Sequence, residues 1–119
     1  MIELELEHGG VIGLDAIADR ITEPWMPVDV ARLNDSMLRM ARLEGSFPWH
    51  DHDEDEAFLC WRGEFRIEQE GSGPVHLGPG ELYVVRRGVR HRPVADAGSA
   101  WTLLIERPET KQYGEEVAR

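Results

Sequence analysis

From residue 28 to residue 106 the chain never runs far enough between turn signals to build a helix. Its β-prone runs are Val28–Leu33, 37–43, 47–52, 57–62, Phe65–Gln69, Val75–Leu77, Leu82–Val85, 91–95 and 100–106. Between them stand Asn34-Asp35-Ser36, an acidic loop at 53–55, Gly63, Gly71-Ser72-Gly73-Pro74, Gly78-Pro79-Gly80 and Arg86-Arg87-Gly88. Eight or nine short strands at even spacing predict an all-β domain, either a closed β-barrel or a jelly roll. An immunoglobulin-like sandwich is the alternative, but it gives no reason for the histidine placement described below. The first loop, Asn34-Asp35-Ser36, reads as a hairpin.

Ahead of this block, Leu14, Ile17, Ala18 and Ile21 recur at helical spacing, so residues 1–27 form an N-terminal segment with one short helix. Asp15 is the expected cap, and Pro24 turns Glu23 away from helical geometry. Residues 28–106 form the barrel, and residues 107–119 a polar tail, helical or frayed. At 119 residues the whole is one domain, large enough to bury a core without staples.

Charge and cysteine use narrow the function. Twenty-three acidic residues against thirteen basic give a net charge of −10, which opposes binding to nucleic acid or an anionic membrane surface. The only lysine is Lys111, set in the polar tail, which leaves little scope for Schiff-base or P-loop chemistry. Cys60 is a lone thiol, so no intrachain disulfide forms. No apolar run is long enough to span a bilayer, and the first five residues are too acidic for a signal peptide. Cytoplasmic residence is the expectation.

Two of the five histidines stand as His50-Asp51-His52. In a strand, residues i and i+2 point to one face, so both imidazoles would enter the same space. Glu56 follows at matching parity, and His91 arrives after a glycine-pinned turn. Three imidazoles and a carboxylate suit a divalent first-row metal (Fe, Mn, Ni, Co, Cu or Zn), and suit Ca or Mg poorly. Gly45, Gly63, Gly80 and Gly88 frame the set and permit the sharp turns that closing a small barrel demands.

With Gly45, His50-Asp51-His52, Glu56 and Gly63 in that order, and Gly80, Gly88 and His91 downstream, the chain resembles the cupin family. The first group looks like the family's first motif and the second group like its second motif. The gap from Gly45 to His50 is one residue shorter than usual. Arg86 stands where proline is usual, and Ala95 where asparagine is frequent. The short stretch 64–79 between the motifs is similar to that of microbial single-domain members. The resemblance implies a cupin-type jelly-roll β-barrel over 28–106, with His50, His52, Glu56 and His91 holding one divalent transition metal. It also implies a homodimer.

Four protein donors leave one or two positions on such an ion for a small molecule or O₂. The resemblance to small single-domain cupins implies a redox-neutral activity: isomerisation, cyclisation or elimination on a carbonyl, hydroxy-ketone or sugar-acid substrate. Glu56 or Tyr83 would move the proton. An iron-dependent dioxygenase and a noncatalytic metal- or metabolite-binding barrel are the alternatives. Counting by twos from Glu56 puts Phe58 and Cys60 on its face. They are candidate pocket residues together with Trp101, Arg86 and Arg90, an arginine there being suited to an anionic substrate. His8 and His76 lack partners at ligand spacing and are expected at the surface.

Overall fold

A computed structural model describes residues 2–3, 10–112 and 114; His8 lies outside them. The elements are β1 (Ile2–Glu3), α1 (Leu14–Arg20), β2 (Val28–Leu33), β3 (Ser36–Ser46), β4 (Glu56–Arg62), β5 (Phe65–Gln69), β6 (Val75–Leu77), β7 (Leu82–Val85) and β8 (His91–Glu106). They pair in the order β1-β2-β3-β8-β4-β7, and β5, paired with β6, branches from β8. All pairs are antiparallel except β1 with β2. This path does not close on itself among the described residues, and the fold is the expected all-β jelly roll with one short helix. Among the described residues no helix is long and apolar enough to cross a membrane.

β8 joins the two halves of the jelly roll. Its first residues pair with β5, from Arg66↔Val94 to Gln69↔His91. Its last seven run between β3 and β4. The pairing with β3 jumps from Leu43↔Ala100 to Gly45↔Ala95, so residues 96–99 bulge out of the ladder. The two runs expected at 91–95 and 100–106 are therefore one strand bent at a bulge. Gly63 makes the bend fit. It takes φ +72, and a Cβ there would meet the Ser99 carbonyl oxygen at 2.6 Å, so only glycine lets β4 turn against the bulge.

The hairpin at Asn34 forms as expected, with Leu33 facing Ser36 and Asn34 at φ 53. The strand expected at 47–52 does not. β3 ends at Ser46, and 47–52 is irregular apart from a single bridge between His50 and His91. Pro48 has no N–H to give a ladder.

Along β4 the burial alternates from Glu56 through Phe58 to Cys60. This face meets Phe65, Ile67, Leu77, Val85 and Leu104 in the core between the two halves. On the outer face, Ile17 and Ala18 of α1, with Ile21 just beyond its end, cover Val28, Val30, Met40 and Leu103. Seven residues make too short a helix to persist alone, so packing holds α1 in place. Gly13, without a side-chain cap, precedes it. Asp15, the expected cap, instead accepts hydrogen bonds from the Trp61 indole at 2.8 Å and from Arg62 at 3.1 Å.

Candidate metal centre and its cavity

Four backbone contacts bring the histidines together. His50 and His91 exchange N–H···O bonds of 3.0 and 2.8 Å, Gly88 N–H donates to the His52 carbonyl at 2.7 Å, and Phe47 N–H donates to Pro93 at 3.1 Å. The Asp55 carboxylate accepts from the Arg87 N–H at 2.9 Å and from Arg86 at 3.2 Å. The loop before β4 is thereby tied to the loop before β8. The bridge and these ties do what a regular strand was expected to do.

One ligand atom from each of His50, His52, Glu56 and His91 lies within 4.8 Å of the others, and all four residues are buried. The His50 and His91 rings are 4.4 Å apart between centroids, and His50 and His52 are 4.7 Å apart. His50 Nδ1 faces the Pro48 carbonyl at 2.9 Å, and His91 Nδ1 faces the Val89 carbonyl at 2.8 Å. A carbonyl only accepts, so each Nδ1 carries the hydrogen and each Nε2 keeps its lone pair.

Among the described residues, both nitrogens of His52, Nε2 of His91 and Oε1 of Glu56 are buried without a hydrogen-bond partner. Glu56 Oε1 lies 3.5 Å from Nε2 of both His52 and His91. Buried polar atoms rarely stay unpaired, because each such atom costs about 1–3 kcal/mol. Lone pairs and a carboxylate converging on one point meet that cost together if a cation lies between them. The donor set fits a divalent transition metal.

The charge states agree. Burial pushes the His50 imidazole down to about 4, outweighing the Pro48 carbonyl that would raise it, so the ring is neutral and ligand-ready near pH 7. Burial alone would raise Glu56, but the neighbouring His52, His91 and Glu106 outweigh it and hold the carboxyl well below the usual range.

Beside the quartet lies a cavity of about 50 Å³, onto which His50, Glu56, Phe58, Arg39, Glu106 and Thr110 open, among others. At 10–15 Å³ per water this holds roughly four waters, so it suits a compact ligand or the reacting end of a larger one. Arg39 closes one wall. Its guanidinium donates to Asp29, to Glu106 and to the Pro108 carbonyl, each at 2.8 Å. Burial pushes Glu106 up to about 9, and the facing Glu56 carboxylate adds to the push against the pull of Arg39.

The other sequence candidates divide. Phe58 lines the cavity. Cys60 is fully buried in the core, its thiol 3.3 Å from the Gly63 carbonyl and its ionisation made harder by burial. Tyr83 packs on the same core and donates its hydroxyl to Gln69 at 3.2 Å. Trp101 lies under Arg42 and Arg62 on the outer, helix-covered face. Arg86 pairs with Asp55, and Arg90 with Glu70 at 3.0 Å, both exposed at the surface. None of these five lines the cavity. His76 is exposed, as expected.

Sequence reasoning missed Arg39, Glu106 and Thr110. Arg39 and Glu106 sit 67 residues apart, and only their opposite charges at inward-facing strand positions hint at the pair. Thr110 belongs to the expected polar tail, yet it is buried, and its segment folds against the cavity. Gly114 lies so close to the Asp51 backbone and His50 Cβ that a Cβ on it would collide with both.

The cupin domain family model matches residues 37–105. The chain belongs to the cupin family. It is similar to the uncharacterized protein YdbB of Bacillus subtilis (strain 168), 30% identical over 78 residues that make up 65% of this chain and 69% of that protein. A cupin-2 domain protein from Shewanella frigidimarina NCIMB 400 is 32% identical with a TM-score of 0.77, over 82% of this chain and 94% of the other. A Neisseria meningitidis protein is 26% identical with a TM-score of 0.75, over 82% and 99%.

Proposed function

We propose that this cupin is a metal-dependent enzyme acting on a small molecule, with His50, His52, Glu56 and His91 holding one divalent transition metal. The observation that carries this reading is the cluster of unpartnered buried donors opening on a cavity. When bound, such an ion supplies Lewis acidity toward a carbonyl or hydroxyl oxygen. The rest falls to the chain. Phe47, edge-on to His50 with centroids 5.2 Å apart, and Phe58 give the cavity an apolar wall, which limits water around the reacting group.

Among the activities the fold accommodates, a redox-neutral isomerisation, cyclisation or elimination is favoured. A second carboxyl, Glu106, faces Glu56 on the cavity and, raised to about 9, keeps a proton to give beside the quartet. A proton-moving reaction uses that arrangement, whereas dioxygen chemistry has no need of it. Tyr83, turned toward Gln69 and off the cavity, takes no part in this reading. The active form in this reading is a homodimer, supported by Leu33, Leu82 and Ile105, which are exposed on one face of the sheet.

The test follows hydrogen exchange from solvent deuterium into small hydroxy-ketones, with oxygen consumption measured in parallel on protein loaded with Fe(II), Mn(II), Ni(II) or Zn(II). Exchange without oxygen uptake is expected. Oxygen uptake with Fe(II) and a phenolic or thiol substrate, without exchange, would establish the dioxygenase reading instead.

A further inference from the structure

Two polar atoms on the cavity wall remain unexplained by the metal quartet. Among the described residues, Glu106 Oε2 and Thr110 Oγ1 are both buried and without a hydrogen-bond partner of good geometry, on residues only 7% exposed, although Glu106 faces the Glu56 carboxyl. Both residues line the same cavity as His50 and Glu56. Their placement is built. Glu106 Oε1 is clamped by Arg39, Arg39 also holds the Pro108 carbonyl, and Thr110 N–H closes a turn on the Arg107 carbonyl at 3.0 Å. Glu106 is not among the four converging donors.

We propose that Glu106 and Thr110 form a second binding subsite in this cavity, which recognises a neutral hydroxyl group of the substrate. The proposal rests on the reading of the cavity as the substrate site and narrows the substrate to small, uncharged, hydroxyl-bearing molecules.

A hydroxyl both donates and accepts, so it pairs with the Thr110 hydroxyl in either sense and with Glu106 in either protonation state. A carboxylate or phosphate finds no free cation on this wall. Arg39 is the guanidinium that lines the cavity, and its donors are committed to Asp29, Glu106 and Pro108. The arginines expected to greet an anion, Arg86 and Arg90, are paired outside with Asp55 and Glu70. An anionic group in the subsite would face Glu106 and the neighbouring Glu56 carboxylate. An apolar group would leave two buried polar atoms unsatisfied, at about 1–3 kcal/mol each.

The experiment measures binding of three small ketones by calorimetry to the full chain, metal-free and zinc-loaded. Hydroxyacetone carries the hydroxyl, butanone replaces it with a methyl group, and acetoacetate places a carboxylate there. Hydroxyacetone is expected to bind about tenfold more tightly than butanone, the size of one buried hydrogen bond, and acetoacetate more weakly still. Thr110→Val, which keeps the shape of the side chain, is expected to erase the preference for hydroxyacetone while leaving zinc stoichiometry unchanged. Glu106→Gln, which keeps a hydrogen-bonding oxygen, is expected to retain part of it.

Equal binding of butanone, tighter binding of acetoacetate to the metal-free chain, a preference that survives Thr110→Val, or no saturable binding of hydroxyacetone would each overturn the proposal. Zinc stoichiometry is read separately. A chain that binds no zinc yet prefers hydroxyacetone defeats the metal reading and leaves the subsite standing.

Discussion

The interior of this jelly roll has two ends built on opposite rules. At one end Phe65, Ile67, Leu77 and Cys60 fill the space between the halves with apolar atoms, Ile67 and Cys60 entirely without exposure. At the other, His52, His91, Glu56, Glu106 and Thr110 keep buried polar atoms without partners. The same strands supply both. β4 contributes Glu56 to the polar end and Cys60 to the packed one, four residues on along the same face. Folding is secured at the packed end, and its surplus offsets the unsatisfied groups that a ligand site requires.

The largest effect that would break this contrast lies at Arg39. Its guanidinium donates to Asp29, Glu106 and the Pro108 carbonyl, so Arg39→Met takes a partner from all three at once. Stability in urea is expected to fall by about 3–5 kcal/mol, a few buried hydrogen bonds of about 1–3 kcal/mol each. A loss below about 1 kcal/mol would mean the polar end is wet enough to dispense with it.

Ile67→Ala tests the packed end. A cavity in a filled core costs about 2–5 kcal/mol, while metal binding at the far end is expected to remain at wild-type affinity. Coupled loss of metal would show that the two ends are not separate.

Acid sharpens the comparison next. The His50 pKa is depressed to about 4 in the fold from an ordinary 6.5. Between those values the unfolded chain binds more protons, so stability of the metal-free protein falls as pH drops from about 6.5 to about 4. The loss approaches about 3 kcal/mol. His50→Phe is expected to flatten that slope in a denaturation series across this range, and an unchanged slope would place the sensitive group elsewhere.

The smallest effect is expected at Gly114. Its φ of +84 and its fit against Asp51 and His50 exclude a side chain. Gly114→Ala costs about 1–2 kcal/mol from backbone conformation alone. It is also expected to weaken metal affinity by pushing on the segment that carries His50. Titration with zinc against a competing chelator reads this directly, and unchanged affinity would show that the C-terminal segment does not support the ligand loop.

The grouping of the four candidate ligands was legible in the sequence because its signals are local. The His50-Asp51-His52 spacing, the parity of Glu56 with Phe58 and Cys60, and the turns at Gly63 and Gly88 each lie within one short stretch. His50 and His52 converge from an irregular segment held by a bridge to His91, not from a strand. The rest of the cavity depends on residues brought together from far along the chain. Arg39 meets Glu106 only because β3 and β8 pair in register, Arg39↔Leu104 and Met37↔Glu106. Thr110 is buried two residues beyond Pro108, whose carbonyl Arg39 holds. Neither contact leaves a periodic trace. The arginines near His91 misled for the converse reason, since proximity in sequence does not say which side of the sheet a long side chain takes.

The account stands or falls on the quartet. Elemental analysis of protein purified without a metal-binding tag, compared with His52→Ala prepared in parallel, tests it most directly. One equivalent of a divalent transition metal per chain, lost in the variant while the fold is retained, is the predicted result. A substoichiometric amount, or a full equivalent that persists in His52→Ala, would contradict it.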